Sequence, residues 1–183
     1  MIIFINSLNE WENMKNLIVL IMFLLFSCMS LGDYDKALSD YAQGINTEEA
    51  LVVFQAFQDM PLAGLKTGEC YYRLGQFAKA IPLLEEYLEG GPFISDGDLT
   101  SDDIVKNTRH KVAHAYRMLG QLDIAKPLFE SFVNDYPNDN LHENALEALT
   151  MCIIMSQTNY DKQELLDLCN QFTQRYPNSD LVS

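Results

Sequence analysis

Positive charge is what this chain has least of. Its 183 residues carry 12 lysines and arginines against 26 aspartates and glutamates, a formal net charge of −14. Nucleic-acid binding draws its strength from cations laid against phosphates, so this balance argues against DNA or RNA as a partner. Long apolar runs are missing too. The longest, ten residues from Leu17 to Phe26, falls short of the roughly 20 that a membrane-spanning helix needs. Reactive motifs are also absent. There is no glycine-rich phosphate loop, no Gly-x-Ser-x-Gly, no Cys-x-x-Cys and no His-Glu-x-x-His. The sequence therefore predicts no catalytic residue, no cofactor and no small-molecule substrate.

What the chain does have is internal repetition. Tyr71–Pro92 recurs 45 residues later as Tyr116–Pro137, with nine identities in 22 positions and no gap. Tyr71, Leu74, Gly75, Gln76, Ala80, Pro82, Leu83, Glu85 and Pro92 fall on Tyr116, Leu119, Gly120, Gln121, Ala125, Pro127, Leu128, Glu130 and Pro137. Self-similarity at such a period signals stacked supersecondary units. A weaker third copy places Leu168, Phe172, Tyr176 and Pro177 on Leu128, Phe132, Tyr136 and Pro137.

Each copy reads as two helices. Apolar and small residues sit at helical spacing over Leu65–Gly75 and again over Gln76–Glu89. Gly75 stands between them, where a helix end favours positive φ. Gly68 and Ala80 are small enough for two backbones to approach closely, and Tyr71, Leu84 and Tyr87 fill the space around them. Pro82 and Pro127 lie inside their helices at the same register, a position expected to face solvent.

The large–Leu–small–Tyr first helix, the glycine, then Ala and a closing proline resemble the tetratricopeptide repeat. The family's signature tryptophan is replaced by Gly64 and Arg109, and its late small residue by Tyr87 and Phe132. The long period and the closure Tyr136-Pro137-Asn138-Asp139 resemble the periplasmic branch, which includes the lipoprotein of the outer-membrane β-barrel assembly machine and the Tol–Pal accessory protein. The resemblance implies an all-α, right-handed stack of antiparallel helix pairs with three to four repeats. These are a partial repeat over 31–60, then 62–92, 104–137 and 141–177. It also implies a non-enzymatic scaffold that binds protein partners.

Upstream, Met14-Lys15-Asn16 followed by the apolar run and Ser27-Cys28 has the anatomy of a secretory signal. Residues 1–27 are accordingly read as an upstream extension and signal peptide, with 28–183 as the repeat domain. Leu25-Phe26-Ser27-Cys28 resembles a bacterial lipobox, which implies lipidation at Cys28 and a membrane anchor without a spanning segment. The implied location is the periplasmic face of the outer membrane, with envelope proteins as partners. The competing expectation is a cytosolic adaptor whose apolar start is itself a repeat helix. Asp33–Gly44 is read as the surviving second helix of a broken first repeat, and 47–59 as a further helix capped by Asn46 or Thr47.

In this family the inner surface is lined by first helices. Carried over position by position, the lining would be Lys66, Glu69, Tyr72, Arg73, Asn107, His110, Lys111, His114 and Arg117. Six of these nine are Lys, Arg or His, a pattern suited to an anionic peptide or a C-terminal carboxylate. The alternative is a solvated helix face whose charges offset the acidic second helices. His110 and His114 are four apart and could share a helix face; two ligands alone make a weak metal site, so no metal is expected, and a metal-binding protein or enzyme using this pair is the lesser alternative to the scaffold. Cys152 and Cys169 are placed on facing helices at packing positions, either as free thiols or as a disulfide. The acidic insertion Phe93–Asp103 lacks the closing glutamate of a calcium loop and is read as exposed.

Overall fold

The computed structural model describes residues 29–60, 62–90, 101–156 and 162–179. The signal segment, Cys28, and residues 93–100 of the acidic insertion lie outside the described residues. Those described form eight helices and no strand. None of these helices is long and apolar enough to cross a membrane. The chain divides into two compact units, Met1–Met60 and Pro61–Ser183.

In the first unit, α1 (Leu31–Ala42) and α2 (Thr47–Ala56) form a pair. Tyr34 and Tyr41 on α1 pack edge-on against the fully buried Phe54 on α2, with ring centroids 5.6 and 6.2 Å apart. The stretch read as an orphaned second helix therefore has α2 as its packing partner among the described residues. Asn46 stands at the α2 N-cap position but adopts φ +49°, and its side-chain amide donates to Asp40 at 3.0 Å. Its side chain makes no capping bond to the helix, because the backbone is left-handed rather than the extended form from which a side-chain oxygen caps.

The second unit holds three successive pairs: α3 (Ala63–Arg73) with α4 (Phe77–Gly90), α5 (Ser101–Met118) with α6 (Leu122–Asp135), and α7 (His142–Met155) with α8 (Lys162–Arg175). The first two pairs turn identically. Gly75 has φ +70° and Gly120 φ +72°. Gly75 N–H donates to Tyr72 O at 3.0 Å and Gln76 N–H to Tyr71 O at 2.8 Å; Gly120 and Gln121 donate to Arg117 O and Tyr116 O, both at 3.0 Å. This double bond back across the last helical turn, with the left-handed residue between, is the Schellman closure. Gly44 ends α1 in the same way, at φ +74°.

Close approach at Gly68 is real. A Cβ there would meet Leu84 Cδ2 at 3.0 Å and Leu83 Cβ at 3.1 Å. Ala80 and Ala125 are fully buried at equivalent positions, as are Leu84 and Phe129 after them. Tyr87 and Phe132 are buried where the family keeps a small residue. Pro82 and Pro127 are exposed, so each proline ring and its missing N–H face water, as expected.

Polar contacts tie neighbouring pairs together. Tyr116 O–H on α5 donates to Glu85 on α4 at 2.7 Å. Lys106 on α5 bridges Asp103 at 2.9 Å and Asp139, in the turn before α7, at 3.1 Å. Arg175 at the end of α8 donates to Pro137 O and, at 3.1 Å, to Asn138. Cys152 is buried in the α5–α8 core, whereas Cys169 is exposed and both thiols are free. Cys169 is thus not at a packing position: its helix turns Phe172 inward in its place.

Candidate functional site

The first helices of the three pairs, α3, α5 and α7, meet along one side of the second unit. A cavity of about 310 Å³ opens there, lined by Tyr72 from α3, His110, His114 and Arg117 from α5, and Asn144, Glu147, Ala148 and Met151 from α7. The registers explain the convergence. His110, His114 and Arg117 recur at four- and three-residue steps on α5, so they share one face. Asn144, Glu147, Ala148 and Met151 do the same on α7.

Aromatic contacts hold this lining in place. Tyr72 O–H lies 2.9 Å from His114 Nδ1, and His114 packs edge-on against Tyr72 and Phe77, with centroids 5.7 and 6.1 Å apart. His110 sits edge-on against Phe129 and Phe132, with centroids 5.9 and 5.5 Å apart. Burial pushes the His110 pKa down to about 4, helped by the positive charges of neighbouring groups. Burial and then Arg117 lower His114 as well. Both rings are therefore neutral near pH 7. They do not gather into a metal centre: among the described residues no group of three metal-ligating side chains forms.

The lysines have another use. Glu69 is buried on α3, accepts from Lys66 at 3.3 Å, and forms an ion pair with Lys111 of α5. Burial alone would raise the Glu69 pKa, but the charges and hydrogen bonds of Lys111 and Lys66 outweigh it and hold the carboxylate below its ordinary value. Lys66 and Lys111 are thus committed to a buried carboxylate. Asn107 donates to the backbone carbonyl of Asp103 at 2.8 Å, within its own helix. Arg73 is exposed at the end of α3 and does not line the cavity.

Of the nine side chains expected on this face, the cavity brings together Tyr72, His110, His114 and Arg117. Glu69, Lys66 and Lys111 form the joint behind it. The positive patch of the sequence reading shrinks to arginine. The α7 contribution was missed because the third copy is weak and its helix carries no repeat signature at those positions. The spacing of Asn144, Glu147 and Met151 along one helical face was the available signal.

Two segments of the chain, residues 62–89 and 111–139, match the tetratricopeptide repeat family. These two hairpins are similar to tetratricopeptide repeats. The first match spans α3 and nearly all of α4, and the second runs from within α5 to the turn after α6. α5 is 18 residues long against 11 for α3. Its seven extra residues, Ser101–Asn107, precede the second match and account for part of the long period. The fold is an all-α, tetratricopeptide-like solenoid, an architecture that points to protein partners in general. No curated protein matches the chain.

Proposed function

We propose that this protein is a non-enzymatic scaffold that holds a segment of a partner protein along the face made by α3, α5 and α7. The observation that carries the reading is the cavity itself, which takes side chains from the first helices of three successive pairs. A trough of that kind exists only when repeats share one register, and stacked repeats use such surfaces for binding. Tyr72 and Met151 offer apolar contact, and Arg117 and Asn144 offer polar contact. The groove takes up a segment by shape and a few placed polar groups, without a broad positive field.

The proposal extends to location. The signal anatomy of residues 14–28 and the closure Tyr136-Pro137-Asn138-Asp139 support a protein of the bacterial envelope, lipid-anchored through Cys28 at the periplasmic face of the outer membrane. Its partners are then envelope proteins, as for the Tol–Pal and barrel-assembly type of repeat protein that it resembles.

Metabolic labelling with a palmitate analogue, followed by fractionation, tests the anchor. Label lost in Cys28→Ser is the expected result. An unlabelled, soluble cytosolic pool with residues 14–27 intact would favour the adaptor reading. Pull-down from native membranes with Met151→Glu tests the groove, and undiminished capture by that variant overturns it.

A further inference from the structure

The second unit keeps its exposed apolar side chains on one edge. Tyr72, in the last turn of α3, bonds to His114 in the closing turns of α5. Arg117, at the end of α5, lines the same cavity as Ala148 and Met151 of α7. The C-terminal ends of α3, α5 and α7, and the turns that leave them, therefore lie along a single edge. Met118, Leu119 and Ile124 stand there around the α5–α6 turn, Ile154 and Met155 at the end of α7, and Leu166 in the second turn of α8, each 40–53% exposed. Together with Met151, one turn before Met155, these are all the exposed large apolar side chains described in this unit. Turns between helices ordinarily favour polar residues, and a clustered apolar patch marks an interaction surface where scattered ones do not.

Charge separates this edge from the opposite one. Arg73 and Lys79 flank the α3–α4 turn, Arg117 and Lys126 the α5–α6 turn, and Lys162 opens α8, against three acids in the same stretches, Asp123, Asp161 and Glu164. From Ala148 to Tyr160 the sequence has no charged residue. The opposite edge, where second helices end and the next first helices begin, carries Glu89, Asp102, Asp103, Asp135, Asp139 and Glu143. Its cations are engaged: Lys106 with Asp103 and Asp139, Arg109 with Asp135, Arg175 with Pro137 O. In a chain of net charge −14, the apolar edge is thus a place where cations outnumber acids. A bilayer with anionic headgroups attracts the first edge and repels the second. We infer that the apolar edge is a membrane-docking surface for a bilayer containing anionic lipid, with Met118, Leu119, Ile154 and Met155 entering the acyl boundary and Arg73, Lys79 and Lys162 meeting lipid phosphates. Methionine suits that place, because its flexible thioether fits irregular apolar surroundings, and lysine stems lie along the apolar zone while their charges stay at the headgroups. No described helix is long and apolar enough to cross a membrane, so the contact is peripheral. The surface goes beyond the groove reading and holds with or without a lipid at Cys28.

The test is vesicle binding read at single positions, because the apolar run of residues 17–26 can bring the whole chain to a vesicle by itself. The fluorescent amino acid dansylalanine replaces Met155 in the full chain and, separately, Glu89 on the opposite edge. Each protein is mixed with vesicles of phosphatidylethanolamine and phosphatidylglycerol. A blue shift at position 155, quenched by brominated acyl chains, with none at position 89, is the expected result. Adding Leu119→Glu and Ile154→Glu should raise the lipid needed for that shift about tenfold or more, since each removes a buried apolar side chain. Lys79→Glu with Lys162→Glu should raise it too, as should phosphatidylcholine vesicles with the unaltered edge. Circular dichroism checks that each variant keeps its helices. No shift at position 155 on vesicles that pellet the protein, or an equal shift at position 89, would overturn the docking surface. A shift indifferent to both the lysine variants and the phosphatidylglycerol would overturn the anionic bilayer as its occupant. A photo-crosslink from position 155 to a protein, with no shift on vesicles, would assign the edge to a protein partner instead.

Discussion

Replacing Glu69 by alanine probes how the first two repeats of the second unit are joined. Glu69 is only 6% exposed, and its two lysine partners come from its own helix and from α5. Taking one partner from a buried ionic network costs about 3–5 kcal/mol, because charges remain without a counter-ion. The Lys111 side chain keeps 24% of its surface exposed and can turn to water, whereas that of Lys66 keeps only 10%. The loss should therefore fall near the lower end, about 3 kcal/mol. Urea unfolding followed by helical circular dichroism measures it. A double-mutant cycle with Lys111→Ala isolates the link between repeats, with an expected coupling of about 1–3 kcal/mol.

The same carboxylate sets a pH signature. Its folded pKa lies below the ordinary 4.5, so the unfolded chain takes up the proton first. The stabilisation is complete above the unfolded value and drains away as pH falls through the folded one. Glu69→Gln should flatten that acid limb. A loss below about 1 kcal/mol in Glu69→Ala, the size of an ordinary surface change, or a coupling near zero, would refute the joint.

Three further outcomes follow from the packing. Gly68→Ala should destabilise by about 1 kcal/mol or more, since overpacking against Leu83 and Leu84 exceeds the gain in helix propensity; Gly64→Ala, with nothing near its added Cβ, should be neutral or stabilise by about 0.5 kcal/mol. Thermal melts of the two variants read the contrast. Tyr116→Phe removes the bond to Glu85 and should cost about 1 kcal/mol in urea. His110 is held neutral in the fold with a pKa of about 4 against an ordinary 6.5, so the unfolded chain binds its proton first and stability falls between those values as pH drops. His110→Gln should lessen that slope in urea midpoints taken at pH 7 and pH 5.

Helix positions and turns were legible because the repeat states them twice. Gly75 and Gly120 mark the ends of α3 and α5, and the closures differ by only 2° in φ. Small residues at Gly68 and Ala80 announced the close approach of α3 and α4. The electrostatics were less legible. Lys66, Glu69 and Lys111 all stood on the expected lining, but the reading left the lysines facing a ligand, whereas the buried Glu69 carboxylate takes both. Nothing in the spacing alone says which way a long lysine turns. The fate of Asp33–Gly44 also depended on pairing: its Tyr34 and Tyr41 match Phe54 of α2, a contact between helices that periodicity within one helix does not reveal. Asn46 has a capping residue's identity, but its φ of +49° takes it out of that role.

The account stands or falls on a partner segment lying along the α3–α5–α7 face. A photo-crosslinking amino acid placed at Met151, in the cavity, and separately at Glu86, exposed on the second helix α4, tests this in native membranes. A discrete crosslinked protein at position 151, lost when Arg117→Gln is added and absent at position 86, is the expected result. The same adduct at both positions, or at position 86 alone, would place the partner elsewhere and contradict the groove.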